Sequence, residues 1–397
     1  MKNNSPTLFV EINASKFIFF VNDEEDYDYK LLYHYTTPIQ GIDNYKIFDH
    51  DLILNIFKKN ILAAEKKLNL IFKEAVIVLN NLDCSTISFS GFKKLNRSQL
   101  LKENITYLLN SLKSKIQETE KQKTIIHIFN SNYILDKKII QNLPLGLFGD
   151  FYSQELSFFL MNSNDYKNLK NIFNKCNLRI NKIISKNFLE GAYLIKENSG
   201  LESFFKIEIN ENNIEIIFFE NSALKYSQKF KFGSNLILND ISKVTGLEIN
   251  SVKNILLNSN LLTENNKNEI IEKNFFSNQN FRKIKKSLIF EIAKARIEEV
   301  AEIIITKNTN VQSFLKKKSI IFLNLNDNLN SECFKSDFEF FFSNKYKLNL
   351  KIIKNFQTDE LYKCAFNLVH YGWKKEAVPI VQEKKSFIAR FFDIFFK

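Results

Sequence analysis

The sequence predicts an α/β protein made of two related halves. The first observation is a strand–turn–strand pattern near the N-terminus, with apolar runs at residues 8–12 and 17–21 around a polar break. The second is the return of that pattern in the other half, at residues 205–209 and 214–219. Such runs are typical of hairpins, and a hairpin that recurs suggests a duplicated domain. Chance repetition in a chain rich in Ile, Phe and Asn is the alternative interpretation.

Composition limits the classes of function. The chain has 397 residues and 45% hydrophobic residues, enough for two to four globular subdomains. The net charge of +12 suits nucleic acid, an acidic membrane or an acidic protein partner. Nucleic acid is disfavoured because the sequence carries no zinc-finger or RNA-recognition signature. Four dispersed cysteines predict reduced thiols in the cytosol. No apolar stretch approaches the ~20 residues that span a bilayer.

Helical spacing of apolar residues predicts most of the remaining elements. In the first half we expect an acidic loop at residues 23–28, helices at 49–68, 97–116 and 164–178, and strands at 75–79, 125–129, 133–135, 155–161 and 180–184. In the second half we expect helices at 235–244, 247–257, 287–304 and 361–371, with a strand at 320–324. Gly372 is a plausible helix stop.

Four short motifs resemble the FtsA family of bacterial cell-division proteins, which are actin-like ATPases. Residues 11–16 (EINASK) and 208–213 (EINENN) stand where that family has its two phosphate loops, although both lack the family's glycines. Residues 143–147 (LPLGL) resemble a Pro-Leu-Gly-Met segment of the family's 1C subdomain. Residues 295–300 (ARIEEV) resemble its Arg-hydrophobic-Glu-Glu motif, for which a solvated helix face is the alternative.

The resemblance implies an actin-like fold with ribonuclease H-like duplicated domains, an inserted 1C-type subdomain and a C-terminal amphipathic helix. The implied boundaries are 1–86, 164–200 and 361–373 for subdomain 1A, 87–163 for 1C, 201–232 and 301–360 for 2A, 233–300 for 2B, 374–383 for a linker, and 384–397 for the terminal helix.

The resemblance also implies a nucleotide site. The candidate contacts are Asn13, Ser15, Lys16, Asn210, Glu211, Asn212, Asn213, Glu298, Glu299 and Asn324. Candidate water-mediated Mg²⁺ ligands are Glu11, Glu208 and Glu215. No catalytic residue is assigned. Glycine lets backbone amides approach phosphate, and a carboxylate 4 Å from a phosphate charge costs about 4 kcal/mol at an effective dielectric constant of ~20. We therefore expect weak or lost ATP and Mg²⁺ binding and little or no ATPase activity.

The last 14 residues predict a membrane-binding helix. At 100° per residue, its apolar residues cover about half of the wheel and its polar residues cluster opposite. The candidate membrane contacts are Lys384, Lys385, Phe387, Ile388, Arg390, Phe391, Phe392, Ile394, Phe395, Phe396 and Lys397. Aromatic residues with cations suit an anionic lipid surface. Docking of this helix on the protein's own core is the alternative.

The resemblance further implies partners and a place in the cell. The C-terminal peptide of the tubulin-like protein FtsZ would bind subdomain 2B, whose basic candidates are Arg282, Lys283, Lys285, Lys286, Lys294 and Arg296. The family also forms actin-like polymers and meets other division proteins through 1C, at the cytoplasmic face of the inner membrane and the division site. Two alternatives stay open: an active ATPase or kinase of the actin superfamily, and a PilM-like pilus-assembly protein.

Overall fold

The computed structural model describes residues 6–13, 15–25, 28–43, 46–80, 82–257, 268–276, 280–315, 319–325, 332–345 and 347–377. These residues form two compact units. The first contains the described parts of residues 1–201, 221–226 and 356 onward. The second contains those of 202–220 and 227–355.

A five-stranded mixed sheet forms the centre of the first unit. Its strand order is β11 (Arg179–Ser185), β6 (Glu74–Leu79), β1 (Thr7–Ile12), β2 (Lys16–Glu25) and β3 (Asp28–Pro38). The first three strands are parallel, and β2 and β3 complete an antiparallel meander. Leu8, Phe9, Val10 and Ile12 are all buried, as expected for a central strand covered on both faces.

Four helices accompany this sheet: α1 (His50–Leu68), α3 (Ser163–Lys175), α4 (Lys186–Glu197) and α10 (Thr358–His370). The side chain of Asp49 accepts a hydrogen bond from the Leu52 amide and caps α1. Asn69 ends that helix in the left-handed region, with φ of 52°. A two-stranded ribbon of β4 (Ile42–Asp43) and β5 (Lys46–Ile47) precedes α1.

Residues 84–162 form a separate antiparallel sheet within the first unit. The strand order is β7 (Cys84–Gln99), β10 (Phe148–Asn162), β8 (Lys123–Leu135) and β9 (Lys138–Ile140), and α2 (Lys102–Thr119) packs on one face. Leu95, Leu100, Leu108, Leu135 and Tyr152 form one buried cluster of this sheet and helix.

The second unit repeats the arrangement of the first sheet. Its order is β14 (Ala223–Phe230), β13 (Ile214–Glu220), β12 (Phe204–Ile209), β15 (Ile320–Leu325) and β16 (Asn349–Ile353). Strands β12 and β13 are antiparallel, and β12, β15 and β16 are parallel. Its helices are α5 (Asn235–Thr245), α6 (Ile249–Leu257), α7 (Lys286–Ala301), α8 (Thr309–Phe314) and α9 (Glu332–Glu339). The two repeated hairpins therefore occupy equivalent places, which confirms the predicted duplication.

Three sequence-based expectations were wrong. Residues 23–25 continue β2 rather than forming a loop, because Asp23 lies opposite Lys30 of β3, a favourable cross-strand pair. The helix predicted from residue 97 begins at Lys102, where the Asn104 side chain accepts the Leu101 amide, and residues 97–99 belong to β7. Residues 125–135 form one strand with register shifts rather than two strands. In the described residues, no helix has the length and apolarity to cross a bilayer.

Candidate functional site

The first hairpin turn is closed by its own hydrogen bonds. The Asn13 amide donates to the Lys16 carbonyl over 3.1 Å, and the Ser15 amide donates to Asn13 Oδ1 over 3.3 Å. Asn13 Nδ2 also donates to Glu11 Oε1 over 3.3 Å. The amides of Asn13 and Ser15 are therefore already engaged, which leaves this turn poorly suited to wrap a phosphate.

Lys186 neutralises Glu11, a contact that the sequence did not predict. Its Nζ lies 2.7 Å from Glu11 Oε1, and both side chains are largely buried. The pairing follows from the sheet register, since Ile12, Leu79 and Ser185 end the three neighbouring parallel strands at the same level. Lys186 begins the helix that follows Ser185. Prediction of the strands alone could not find this ion pair, because the pairing depends on the order of the strands in the sheet.

The second hairpin turn lies on the N-terminus of α5. The amides of Ser234 and Asn235 donate to the carbonyls of Asn210 and Glu211 over 2.9 and 3.0 Å. Free amides at a helix N-terminus are what make it an anion site. These two are occupied by the turn itself, so the start of α5 offers fewer donors to a phosphate.

Gly233 is required by the close approach of this turn. A Cβ at this position would lie 2.1 Å from the Asn210 carbonyl oxygen and 2.7 Å from that of Glu211. Residues 210–213 themselves adopt no positive φ. The glycines that the family has in the loop are therefore not needed here for backbone conformation, whereas the glycine beside the loop is needed for space.

The exposed side of the second turn also has internal partners. Lys253 Nζ lies 2.9 Å from Glu211 Oε1, and both side chains are about half exposed. Asn235 Nδ2 donates to Asn212 Oδ1 over 2.7 Å, and Asn210 Nδ2 donates to Asn213 Oδ1 over 3.2 Å. Lys253 offsets part of the negative charge of Glu211.

Lysines accompany the two other candidate Mg²⁺ ligands. Glu208 and Glu215 lie directly opposite each other on β12 and β13. Lys206 Nζ is 2.6 Å from Glu208 Oε2, and Lys229 Nζ is 2.6 Å from Glu215 Oε1. Among the residues that the structure describes, no cluster of His, Cys, Asp and Glu has the arrangement of a metal site. An ammonium group beside each carboxylate weakens its attraction for a divalent cation.

The Arg-Ile-Glu-Glu motif forms an ionic network on α7. Arg296 Nε is 2.5 Å from Asp240 Oδ2, and its Nη1 is 2.6 Å from Glu299 Oε2. Glu298 pairs with Lys345. At the end of β15, the buried Asn324 donates from Nδ2 to Asn355 Oδ1 over 3.1 Å. Each of the three candidate nucleotide contacts in these elements, Glu298, Glu299 and Asn324, thus has a protein partner.

The basic candidates at the start of α7 are not one continuous surface. Lys286 is only 4% exposed and its Nζ is 2.7 Å from Glu269 Oε2, so it has a structural role. Arg282 donates to the Gly246 carbonyl over 2.7 Å. Lys283, Lys285 and Lys294 are exposed. Of the neighbouring apolar residues that could contact a peptide, Phe281 is 43% exposed, whereas Ile284 and Ile289 are buried.

A buried polar cluster holds the segment that precedes the predicted terminal helix, which lies outside the described residues. Glu376 Oε1 accepts from His127 Nδ1 over 2.7 Å, and Glu376 Oε2 lies 2.8 Å from Lys182 Nζ. The Ser185 amide donates to His127 Nε2 over 3.2 Å, so the ring is neutral. The Asn130 amide donates to the Lys375 carbonyl and the Ala377 amide to that of Ile128, which adds this segment to β8.

This cluster shifts the pKa of both titratable groups downward. Burial lowers the pKa of His127 and outweighs the opposing effect of Glu376. Burial alone would raise the pKa of Glu376, but the hydrogen bond from His127 and the contact with Lys182 outweigh it. The cluster therefore contains neutral His127, anionic Glu376 and cationic Lys182, with no net charge. Sequence analysis treated residues 374–383 as a linker and had no signal for this contact.

Comparisons with known proteins agree with this architecture. The whole chain is 21% identical over 409 aligned residues to the cell division protein FtsA of Buchnera aphidicola subsp. Acyrthosiphon pisum, and covers 97% of it. It is 16% identical over 285 residues to FtsA of Escherichia coli K12, in an alignment that covers 71% of this chain and 67% of the relative. A chain of the PilM–PilN type IV pilus biogenesis complex matches with a TM-score of 0.56 at 9% identity, covering 92% of this chain and 98% of the other. No protein-family model matches the chain.

The duplicated five-stranded sheets and the PilM match define the class: this is a protein with the actin-like ATPase fold. Within that class, the relatives that align over most of its length carry the name FtsA. The chain is an FtsA-like actin-fold protein.

Proposed function

We propose that this chain is a cell-division protein that holds FtsZ filaments at the cytoplasmic face of the inner membrane, at the division site. The observation that supports this most is the alignment with a cell division protein over the full chain and 97% of the relative. Its actin-like fold suits a protein that polymerises. In this proposal the antiparallel sheet of residues 84–162 is the 1C subdomain, where other division proteins would bind.

Residues 384–397 provide the membrane contact in this proposal. Their aromatic face and four cations suit an anionic lipid surface. Deleting residues 386–397, or changing both Phe391 and Phe395 to Glu, should weaken co-sedimentation with anionic vesicles about tenfold or more. Pelleting of the shortened chain at the full-length level would refute this role. Several copies joined in a polymer would bind more tightly than one.

Weak nucleotide binding without appreciable hydrolysis is the second part of the proposal. The supporting observations are the hydrogen bonds that occupy both turns and the lysines beside the candidate Mg²⁺ ligands. Calorimetry should detect at most weak ATP binding, with negligible phosphate release. Glu211→Gly should strengthen binding because it removes a carboxylate, and Lys253→Met should weaken it because Glu211 then loses its cation. Tight binding by the unchanged protein would contradict this part.

Binding of the FtsZ peptide is the third part of the proposal. The structure shows which lysines can be changed to test it without disturbing the fold. Reversing Lys286 would break a buried ion pair and disturb folding. Lys283→Glu with Lys285→Glu changes exposed charges instead, and should weaken binding of the acidic, apolar peptide and reduce its salt dependence. Lys167→Glu with Lys170→Glu, which reverses two exposed lysines of α3, is the charge-matched control. If the double variant binds the peptide as the unchanged protein does, the peptide does not bind at these lysines.

A PilM-like role in pilus assembly is the competing function. The match to the PilM–PilN complex, at 9% identity, shows the fold alone. A membrane-binding C-terminal helix is implied by the FtsA resemblance and not by the PilM match, so vesicle binding through residues 384–397 would favour the division protein.

A further inference from the structure

The antiparallel sheet of residues 84–162 carries a group of large exposed apolar side chains. Phe92, Ile139, Phe148 and Phe151 are between 52% and 74% exposed, and we call these four residues the exposed aromatic face. Large hydrophobic residues elsewhere in the first unit are exposed singly, such as Phe48 and Ile71. A contiguous apolar patch marks an interaction surface more often than scattered exposed residues do.

The strand register places these side chains on the side of the sheet away from α2. A Cβ on Gly91 would meet Leu112 of α2, and Tyr152 belongs to the core that α2 covers. Because side chains alternate along a strand, the neighbours Phe92 and Phe151 point to the opposite side.

One row of this opposite side crosses all four strands. It consists of residues paired in direct register, which are Phe92, Ser153, Ile134 and Ile139. Two residues of the exposed aromatic face, Phe92 and Ile139, therefore lie in one row across the sheet on the side away from α2.

A leucine-rich loop extends this surface at the end of the sheet. Leu143, Leu145 and Leu147 are exposed and alternate with Pro144 and Gly146. The loop is anchored, since the Gly146 amide donates to the Leu100 carbonyl and the Leu100 amide donates to the Leu147 carbonyl, both over 2.9 Å. Its leucines are thus held out from the fold on a fixed backbone.

Lysines without carboxylate partners lie on the strands and turn that carry the apolar residues. Lys94, Lys137 and Lys138 are exposed, and in the described part of the chain none of them forms an ion pair. Lys94 lies directly opposite Phe151 in the sheet.

The two nearby aspartates are already engaged. Asp136 Oδ1 accepts the amides of Asp150 and Phe151 over 2.9 and 2.8 Å, and Asp150 faces Arg97 at 3.9 Å. The rim of the apolar surface therefore presents an excess of positive charge to solvent.

We propose that this end of the antiparallel sheet is a second membrane contact, which inserts its Phe, Ile and Leu side chains into the headgroup region of an anionic bilayer. An anionic bilayer has hydrocarbon chains next to negatively charged headgroups. The apolar side chains of the protein would contact the hydrocarbon, and the lysines around them would contact the headgroups. The exposed aromatic face itself consists of aliphatic and aromatic side chains, and the polar residues that lie beside it in the sheet are Ser153 and Lys94.

The proposed contact does not depend on residues 384–397, so the two membrane contacts can be tested separately.

The test uses co-sedimentation with vesicles of mixed phosphatidylcholine and phosphatidylglycerol. A chain ending at residue 383 should retain weak, salt-sensitive binding. Adding Phe148→Glu and Phe151→Glu should reduce that binding about tenfold or more. The matched control is Phe48→Glu with Ile71→Glu, which adds the same charge at sites of the same unit that are 67% and 85% exposed.

Two results would overturn the proposal. One is a failure of the vesicle test: either the shortened chain does not bind anionic vesicles, or the Phe148/Phe151 variant binds them as well as the Phe48/Ile71 control does. The other is loss of self-association by the Phe148/Phe151 variant in lipid-free sedimentation, which would make this face an interface between copies. A second measurement avoids dependence on folding of that variant. Leu145→Trp should be quenched by brominated lipid beyond the Trp373 background, and absence of quenching would refute insertion.

Discussion

Glu376→Gln should destabilise the first unit because it leaves a charged lysine buried without its partner. The Lys182 side chain is 9% exposed, and its Nζ has Glu376 Oε2 at 2.8 Å and the Leu368 carbonyl only at 3.5 Å. Breaking a buried ion pair from one side costs about 3–5 kcal/mol. The glutamine still offers His127 an acceptor, so we expect about 3 kcal/mol. At 2–4 °C per kcal/mol for a domain of 150–250 residues, Tm should fall by about 6–12 °C.

Thermal unfolding followed by circular dichroism measures this effect, with exposed Glu118→Gln as the control. If the cost arises from the unpaired charge, the double variant Glu376→Gln/Lys182→Met should be more stable than the sum of its single changes predicts. A fall in Tm no larger than that of Glu118→Gln would refute the reasoning. Additive effects in the double variant would show that the two side chains act independently.

Three further outcomes follow from the same structure. The pKa of His127 is lowered in the folded protein, so the unfolded chain takes up a proton first as pH falls below about 6.5, and the free energy of unfolding should decrease there. The lowered pKa of Glu376 should add a further loss of stability below about 4.5. His127→Gln should flatten the first of these two slopes when urea unfolding is measured at several pH values. Gly233→Ala should cost about 3 kcal/mol or more, measured by urea unfolding, because its Cβ overlaps the carbonyl oxygens of the second turn. Lys286→Ala should lower Tm by several degrees, whereas Lys285→Ala should change stability by less than about 0.5 kcal/mol in the same assay.

The hairpins were predictable because their signal is local. Each combines two apolar runs with a short polar break, and the structure has β1 with β2 and β12 with β13 at these positions. The acidic stretch after residue 22 predicted a loop, since acidic residues disfavour strands on average. Its strand forms because Lys30 lies across from Asp23, a partner that becomes apparent only when the strand order is known.

The candidate site was less predictable because its partners come from distant parts of the chain. Lys186 reaches Glu11 through the alignment of three strand ends, and Lys253 reaches Glu211 from α6. A sequence motif identifies the carboxylate but not the cation that neutralises it. Glu376 shows the same limit more strongly, since it lies 249 residues from His127 and follows the helix predicted at residues 361–371.

The attachment of residues 373–377 also determines how the protein would resist mechanical force. Trp373 is anchored through a hydrogen bond from its indole Nε1 to the Ser222 carbonyl, and Glu376 through its buried ion pair. A pull on the chain beyond Ala377 directed along β8 would strain the backbone hydrogen bonds and the ion pair together. A pull perpendicular to that strand would separate them one after another, beginning at Ala377. Resistance should therefore depend on the direction of the pull, and this short segment would act as a directional clamp between the folded body and whatever holds its C-terminal tail.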